Sequence, residues 1–258
     1  ENLPESSRWY PGAGLYRNVH LIITEDAYIP VWGTYITTPS VNEKFAKVNV
    51  RTKVVLPEGA DPAKYSVETS VWNPNKQKLT AVRTSLAQMK YNNNQAEQEF
   101  VIQAPSLWSP EMPALYSAET RLYEGDKLKD IYTTPFGIRS IEIIPDKGFF
   151  LNGKRTVFKG VCNHHDLGPL GAAVNDAAIR RQIRILKDMG CNAIRTSHNM
   201  PAPELIRACD EMGMMIMAES FDEWNVAKCK NGYNLLFDEW AEKDLVNLLH
   251  NFRNNPSV

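Results

Sequence analysis

The chain has 258 residues, enough for one large domain or two ordinary ones with substantial hydrophobic cores. Its 29 lysines and arginines nearly balance its 30 aspartates and glutamates, so no long-range field recruits nucleic acid or an anionic membrane. A neutral small-molecule substrate suits this balance. No run approaches the roughly 20 apolar residues that a membrane helix needs.

The stretch from about Phe45 to Ile144 has the pattern of an all-β sandwich, with short alternating strands separated by turn residues. Residues 46–56 alternate apolar and polar side chains until Pro57 and Gly59 interrupt them. The further predicted strands are Tyr65–Trp72, Leu79–Ala87, Glu97–Gln103, Leu115–Tyr123 and Leu128–Phe136. A total of roughly seven strands predicts an immunoglobulin-like fold.

After Gly153 the hydrophobic period changes, and strands alternate with amphipathic helices as in a parallel sheet. The predicted elements are a buried strand at 156–162, a helix from Asn175 or Asp176 to Gly190, a strand at 192–196, a helix at 203–212, a strand at 214–218 and a helix at 237–252. Three β/α units fit either an open doubly wound sheet or the first part of a (β/α)8 barrel. No glycine-rich phosphate fingerprint follows the first strand, which counts against nucleotide binding.

Polar side chains follow each of these three strands, at the ends where α/β proteins bind their ligands. Asn163–Asp166 follows the first strand and is either a capped turn or a functional cluster. Arg195–Pro201 follows the second strand, and Glu219–Asn225 follows the third. Within the last segment, Trp224 either stacks on the apolar face of a pyranose ring or closes the mouth of the sheet.

The four cysteines lie in the C-terminal half, and none has zinc-finger spacing. We expect buried free thiols, because Cys162 and Cys191 fall in or beside predicted strands where a small apolar side chain packs well. The sequence is also compatible with a disulfide, although nothing in it requires one.

Several segments along the chain resemble glycoside hydrolase family 2. They are Ser6–Leu21, Leu107–Tyr116, Phe136–Arg139, Phe150–Lys154, Arg195–Pro201 and His250–Val258. The most specific is Arg-Thr-Ser-His-Asn-Met-Pro at 195–201, which is close to the family's Arg-Thr-Ser-His-Tyr-Pro. The resemblance favours the barrel over the open sheet. It implies a multidomain chain of all-β plus α/β class, an immunoglobulin-like β-sandwich followed by the first part of a (β/α)8 TIM barrel.

The same resemblance implies three domain segments. Residues 1–38 would be the C-terminal strands of a jelly-roll sugar-binding domain. Residues 39–138 would form the immunoglobulin-like sandwich, and residues 139–258 the N-terminal part of the catalytic barrel. Because the first segment would lack its sheet partners, we expect it to dock on a neighbour or to be partly disordered.

Five substrate-binding residues follow from the resemblance. Asp166 occupies a position where glucuronidase-like members bind sugar hydroxyls, a task that suits a carboxylate. His198 occupies the position of a sugar-contacting histidine, whose imidazole can donate and accept a hydrogen bond. Asn199 stands where the family commonly has tyrosine, Glu219 matches an acidic residue that orients its neighbours, and Trp224 is the candidate stacking residue.

Two neighbouring residues receive other interpretations. Arg195 is expected to anchor a carboxylate rather than to touch substrate. His165 stands where the family usually has glutamate. No histidine follows Glu219 in the Glu-x-His pattern with which some large galactosidases bind magnesium, so we predict no metal and no cofactor.

The resemblance places no catalytic residue in this chain. Retaining glycosidases need two carboxyl groups about 5–5.5 Å apart, and the family carries them on the fourth and seventh barrel strands. In the family, a segment like His250–Val258 runs into the strand that ends in the Asn-Glu acid/base. A replacement pair of Asp166 with Glu219 or Glu223 is disfavoured, because the family uses these strand ends for binding.

We therefore expect an internal, inactive fragment of a retaining β-glycoside hydrolase of β-galactosidase type. The alternatives are a non-catalytic carbohydrate-binding or scaffold module and, within the family, a β-glucuronidase or β-mannosidase. The expected partner is a carbohydrate substrate, without nucleic acid or membrane. An open barrel leaves strand edges and apolar helix faces uncovered, so a homo-oligomer is also expected.

Overall fold

The structure is a computed structural model that describes residues 3–9, 14–88 and 95–258, apart from the side chain of Gln88. The chain divides into two compact units. The first unit contains the described residues up to His20 together with Phe158–Phe252 and Ser257–Val258, and the second contains Leu21–Val157 and Arg253–Pro256. No helix in the described part of the chain is long and apolar enough to cross a membrane.

The second unit contains a β-sandwich of two antiparallel sheets. The strands are β1 (Thr34–Val41), β2 (Phe45–Lys53), β3 (Tyr65–Trp72), β4 (Lys78–Ser85), β5 (Gln95–Gln103), β6 (Tyr116–Glu124) and β7 (Lys127–Phe136). One sheet has the order β1-β2-β5 and the other β4-β3-β6-β7. This arrangement confirms the predicted immunoglobulin-like sandwich.

The sandwich core follows from the alternation of side chains along the strands. Val48 and Val50 of β2 and Phe100 of β5 are buried and share a core with Tyr116 and Phe136 of the facing sheet. Each of these strands therefore directs one set of side chains into the same interior, as the period-2 pattern predicts.

Strand β1 is absent from the sequence-based prediction. It carries Pro39, and its pairing register with β2 shifts between Thr37 and Ser40. Proline lacks the backbone donor of a regular ladder and is tolerated in a strand at a sheet edge, which is where β1 lies. A proline and an irregular register together remove the clean alternation by which a strand is recognised.

The predicted domain boundary between residues 38 and 39 falls inside β1. Thr34 and Tyr35 already pair with Thr52 and Arg51 of β2, so the sheet begins upstream of that boundary. Residues 3–9 and 14–27, which the resemblance assigned to a jelly-roll domain, contain no strand here, and that assignment stays a prediction. Residues 10–13, which belong to the same predicted segment, lie outside the described residues.

The polar groups of this N-terminal stretch bond to loops of the first unit instead. Arg17 donates to the carbonyls of Met200 and Pro201, at 2.6 and 3.3 Å. Asn18 Nδ2 donates to Glu204 Oε1 at 2.6 Å. These contacts agree with the expected docking of the stretch on a neighbour.

Three short strands complete the second unit. They are β8 (Ile141–Ile144), β9 (Gly148–Leu151) and β10 (Lys154–Arg155), which form an antiparallel sheet in the order β10-β9-β8. They occupy the stretch that the resemblance assigned to the entry into the barrel.

The first unit alternates strands and helices. Its elements are β11 (Gly160–Asn163), α1 (Asp176–Asp188), β12 (Ala193–Thr196), α2 (Pro203–Met212), β13 (Met215–Met217) and α3 (Phe237–Phe252). The strands pair in parallel in the order β11-β12-β13. The helices supply Ile183, Ile206 and Phe252 to a core that also contains Ile194 of β12. The predicted three β/α units are confirmed.

The first of these strands is shorter and more exposed than predicted. Val157 and Phe158 are 55% and 46% exposed and precede β11. In the described part of the chain, β11 pairs only with β12, so it is an edge strand and has one covered side. Met189 also departs from the prediction: it caps the end of α1 and lies outside the buried stripe of that helix.

The cysteines are free, and only partly as buried as expected. Cys209 is fully buried, Cys191 and Cys229 are half-buried, and Cys162 on the edge strand is exposed. Burial raises the pKa of the Cys209 thiol far above its ordinary value, and the nearby charge of Asp210 adds to the effect. Cys209 therefore behaves as a small apolar core residue.

Candidate sugar-binding site

Side chains from four parts of the first unit meet at the carboxyl ends of its parallel strands. His164 follows β11, His198 follows β12, and Glu219 and Asp222 follow β13. Trp9 joins them from the N-terminal stretch. Parallel strands end at the same edge of a sheet, which explains how residues so distant in sequence become neighbours. We refer to these five residues as the strand-end cluster.

Glu219 contacts two side chains, one through each of its carboxylate oxygens. One carboxylate oxygen accepts a hydrogen bond from Arg195 Nε, and the other lies 3.0 Å from His198 Nδ1. Arg195 also donates to Cys162 Sγ at 3.3 Å; this contact and the Glu219 carboxylate raise the pKa of the guanidinium. Arg195 thus contacts a carboxylate, while the orienting role of Glu219 stays a prediction.

The contact with Glu219 determines which His198 nitrogen is available. A carboxylate can only accept, so Nδ1 carries the proton of this hydrogen bond when the imidazole is neutral. Nε2, the other ring nitrogen, lies 4.0 Å from Asp222 Oδ1. The ring is therefore held in one orientation, with its second nitrogen on the side of Asp222.

Asp222 holds two cations. Arg8 NH2 donates to Asp222 Oδ1 at 2.6 Å and Arg8 Nε to Oδ2 at 3.3 Å, a two-pronged contact, while Lys228 Nζ lies 3.4 Å from Oδ1. Burial alone would raise the pKa of Asp222, but the hydrogen bond from Arg8 and the charges of Arg8 and Lys228 outweigh it and hold the pKa below its ordinary value. Asp222 is therefore ionised at neutral pH.

Three rings of the cluster contact one another. The Trp9 centroid lies 4.9 Å from that of His164, in an edge-on arrangement, and 5.4 Å from that of His198. The two imidazoles are 5.2 Å apart. An aromatic surface thus lies directly beside two groups that can form hydrogen bonds.

Glu223 is a structural residue. Its side chain is almost fully buried, and its two oxygens accept from the backbone N–H groups of Lys228 and Asn234, at 2.6 and 3.0 Å. A Cβ atom on Gly232 would lie 1.6 Å from Glu223 Oε1, so only glycine fits beside the carboxylate. The loop after β13 is therefore folded around Glu223.

The loop after β11 contains the capped turn that the sequence left open. Asp166 Oδ1 accepts from Gly168 N at 2.6 Å. His165 Nε2 donates to Ala172 O at 2.9 Å, and burial, reinforced by the charge of Arg17, lowers the pKa of this imidazole. Asp166 and Asn199 also line a cavity of about 30 Å³, which has room for a water molecule but not for a sugar.

Of the five predicted binding residues, the structure joins His198 and Glu219 directly. Asp166 and Asn199 both line the small cavity. Trp224 is 67% exposed, and the aromatic residue in contact with His198 is Trp9 instead. Among the residues that the structure describes, no three His, Cys, Asp or Glu side chains are grouped as metal ligands.

Sequence reasoning did not select Arg8, Trp9, His164 or Asp222 as site residues. Arg8 and Trp9 lie in a segment that had been interpreted as a jelly-roll strand. His164 and Asp222 stood inside the polar runs after the strands, which was the available signal, but nothing in those runs distinguished them from their neighbours.

Two models of glycosyl hydrolases family 2 together match most of the chain. The general family model matches residues 28–139, and the model of the family's TIM barrel domain matches residues 142–258. The chain belongs to glycosyl hydrolase family 2, which agrees with the sandwich and the parallel β/α units and with the resemblance in its motifs.

Relatives of known name extend this comparison. The chain is 44% identical over 253 residues to the β-galactosidase BoGH2A of Bacteroides ovatus, covering 98% of the chain and 30% of that protein. It is 35% identical over 257 residues to a putative β-glucuronidase of Formosa agariphila, covering 99% of the chain and 24% of that protein. The chain thus spans less than a third of the length of these curated relatives.

Solved structures of related proteins also match the chain in fold and sequence. A family 2 member from Bacteroides cellulosilyticus matches with a TM-score of 0.90 and 36% identity, over 98% of this chain and 32% of that one. A β-glycosidase from Bacteroides vulgatus matches with a TM-score of 0.89 and 35% identity, over 98% of this chain and 31% of that one.

Proposed function

We propose that this chain carries the sugar-binding part of a retaining β-glycoside hydrolase of β-galactosidase type, with the acid/base and nucleophile glutamates outside this sequence. The observation that carries the proposal is the oriented imidazole of His198. Glu219 contacts Nδ1, so Nε2 is the nitrogen left for a sugar hydroxyl, and the ring itself lies 5.4 Å from Trp9 between centroids. A fixed polar group next to an aromatic ring is the combination that recognises a pyranose.

The state of the carboxylates supports the second half of the proposal. Glu219 holds Arg195 and His198, Asp222 holds Arg8 and Lys228, Glu223 holds two backbone amides, and Asp166 caps its own turn. A general acid needs a raised pKa, whereas Arg8 and Lys228 outweigh burial and hold the pKa of Asp222 below its ordinary value. These carboxylates serve as structural and binding groups, and we propose that the chain alone does not hydrolyse glycosides.

The charges favour a neutral sugar over a uronate. Arg8, Arg195 and Lys228 each contact a carboxylate already, and recognition of a second carboxylate would require one of them to leave its partner. The identity to a β-galactosidase of Bacteroides ovatus supports the same choice. A glucuronide remains the second candidate substrate. A putative β-glucuronidase of Formosa agariphila also matches the chain, and Asp166 occupies the position where glucuronidase-like members bind sugar hydroxyls.

The test is an NMR titration of the chain with methyl β-D-galactoside and, in parallel, with methyl β-D-glucuronide. We expect saturable shifts of the His198 imidazole with the galactoside and a Kd about tenfold weaker in His198→Ala, equivalent to one or two lost hydrogen bonds. The matched control is His20→Ala, an exposed histidine outside the cluster, which should leave the Kd unchanged.

Two results contradict the proposal. One is saturable galactoside binding that His198→Ala does not weaken, which would place the sugar elsewhere. The other is a preference for the glucuronide over the galactoside, which would make the glucuronide candidate the better one.

A further inference from the structure

Trp9 is the tryptophan that contacts both imidazoles of the strand-end cluster. It is half-buried, so part of the indole remains accessible beside His164 and His198. Trp224 belongs to the loop after β13, where sequence reasoning placed the stacking residue, but its side chain extends into solvent.

The N-terminal stretch that carries Trp9 is fastened to this loop at several points. Arg8 makes its two-pronged contact with Asp222. Further along the loop, Asn231 Nδ2 donates to Pro4 O at 2.6 Å, and Asn231 N donates to Glu5 O at 3.1 Å. Because the contacts lie on both sides of Ser6 and Ser7, residues 3–9 are held along the loop rather than at a single point.

We propose that Trp9 is the aromatic platform for the sugar ring and that Arg8 is its positioning residue. Residues 3–9 then form one wall of the binding site, and Trp224 does not stack on the sugar. This inference rests on the proposed function, since it concerns the same strand-end cluster.

The chemistry of a pyranose explains why this arrangement is suitable. One face of the ring presents C–H groups, which pack against an indole, while its rim presents hydroxyl groups. Trp9 supplies the first surface and the neighbouring imidazole of His198 the hydrogen-bonding group, 5.4 Å away between ring centroids. A sugar contacting both would need Trp9 held at a fixed distance from His198, and the Arg8–Asp222 contact provides that constraint.

The experiment uses the whole chain labelled with 5-fluorotryptophan, with each ¹⁹F resonance assigned by a single Trp→Phe substitution. During titration with methyl β-D-galactoside, we expect the Trp9 resonance to shift along the binding curve and the Trp224 resonance to stay in place. Trp9→Ala should raise the Kd about fivefold to tenfold. Trp240→Ala, a partly exposed tryptophan on α3, is the matched control and should leave the Kd unchanged.

A second variant separates positioning from direct contact. Asp222→Asn keeps the shape of the side chain but removes the charge that holds Arg8, so we expect the Trp9 resonance of the free protein to move and the Kd to rise as in Trp9→Ala. In Trp9→Ala the additional change Asp222→Asn should have little further effect, because both act through the same ring.

The outcomes distinguish this inference from the proposed function. A galactoside Kd that responds to His198→Ala but not to Trp9→Ala contradicts the inference alone, as does a sugar-dependent shift of Trp224 without one of Trp9. The absence of any saturable shift contradicts the proposed function and the inference together.

Discussion

Glu219 contacts two neighbouring side chains through its two carboxylate oxygens. Its two oxygens are divided between Arg195 and His198, so the position of the imidazole depends on the position of the guanidinium. Arg195 stands on β12 in register with Met217 of β13, just before Glu219. The pairing of two adjacent strands therefore determines where His198 lies.

Glu219→Gln tests this dependence. An amide has one acceptor oxygen, so it can satisfy Arg195 or His198 but not both, and its NH2 group cannot accept from Nδ1–H. We expect the Nδ1–H tautomer of His198 to lose its preference, as measured by ¹⁵N–¹³C correlation NMR of the imidazoles. Asp222→Asn, 4.0 Å from Nε2, is the control and should leave the tautomer unchanged. An unaltered tautomer in Glu219→Gln would mean that Glu219 does not orient the ring.

The pairing of Arg8 with Asp222 predicts a pH dependence for the docking of residues 3–9. Because the folded-state pKa of Asp222 is lowered, the contribution of this pair is present above the ordinary aspartate pKa of about 3.9 and is lost as the pH falls through the lower folded value. The amide resonance of Asn231, which donates to Glu5 O of the docked stretch, should therefore stay constant from neutral pH down to about pH 4 and move only below it. Movement centred near pH 6 would contradict the assignment.

The sequence suggested Arg195 as a carboxylate anchor through its place in the segment that resembles the family's Arg-Thr-Ser-His-Tyr-Pro motif, without naming the carboxylate. It could not predict the pairing of Arg8 with Asp222, which are 214 residues apart. No local sequence pattern indicates such a pair. Residues 3–9 form no strand, so there was no strand register from which the contact could have been inferred.

The helices were predictable at the scale of elements because their ends carry local signals. Pro203 occupies the first turn of α2, and Gly213, with φ of +75°, ends it in the left-handed conformation that glycine adopts freely. Asn175 caps α1 by accepting from Ala178 N at 3.0 Å. The exposure of β11 was not predictable, because burial of a strand depends on how many neighbours the sheet provides.

Asn175→Ala removes the cap of α1. We expect the free energy of unfolding to fall by about 1 kcal/mol, because the backbone donor of Ala178 loses its acceptor. Urea denaturation followed by circular dichroism measures the change. Asn175→Asp keeps the acceptor and should be at least as stable as the unmodified chain, and equal losses in the two variants would show that the cap does not stabilise the helix.

Gly160→Ala tests the close approach of β11 and β12. A Cβ atom at position 160 would lie 2.0 Å from the carbonyl oxygen of Ala193, so the two strands would have to separate. We expect a loss of about 1–3 kcal/mol in the free energy of unfolding, together with faster amide exchange in β11. Val161→Ala, which changes the same strand without adding an atom against Ala193, is the control for a substitution in β11 that leaves the separation of the strands unchanged. An undisturbed Gly160→Ala variant would contradict the pairing described for these strands.

At the scale of the whole molecule, α3 exposes several apolar side chains. Trp240, Leu245, Val246 and Leu249 are all exposed on this helix, although Leu248 and Phe252 of the same helix are buried. Monomeric proteins rarely leave large apolar patches uncovered. We therefore predict that the chain associates with a second copy of itself through α3.

Sedimentation velocity over a range of protein concentrations measures this association. We expect a concentration-dependent shift to larger species, and a return to the monomer in the double variant Leu245→Glu, Leu249→Glu. Val101→Glu, which changes an exposed apolar residue of the sandwich, is the control and should still associate. A monomer at every concentration would contradict the prediction.

The most direct test of the central proposal is the hydrolysis of nitrophenyl β-D-galactoside by this chain. We predict no release of nitrophenol above the blank, because we propose that the acid/base and the nucleophile lie outside this sequence, and the carboxylates at the strand ends each bond to Arg8, Arg195 or backbone amides. The control is the double variant Asp166→Ala, His198→Ala. Turnover by the unmodified chain that this variant loses would contradict the account and would require a catalytic pair within these residues.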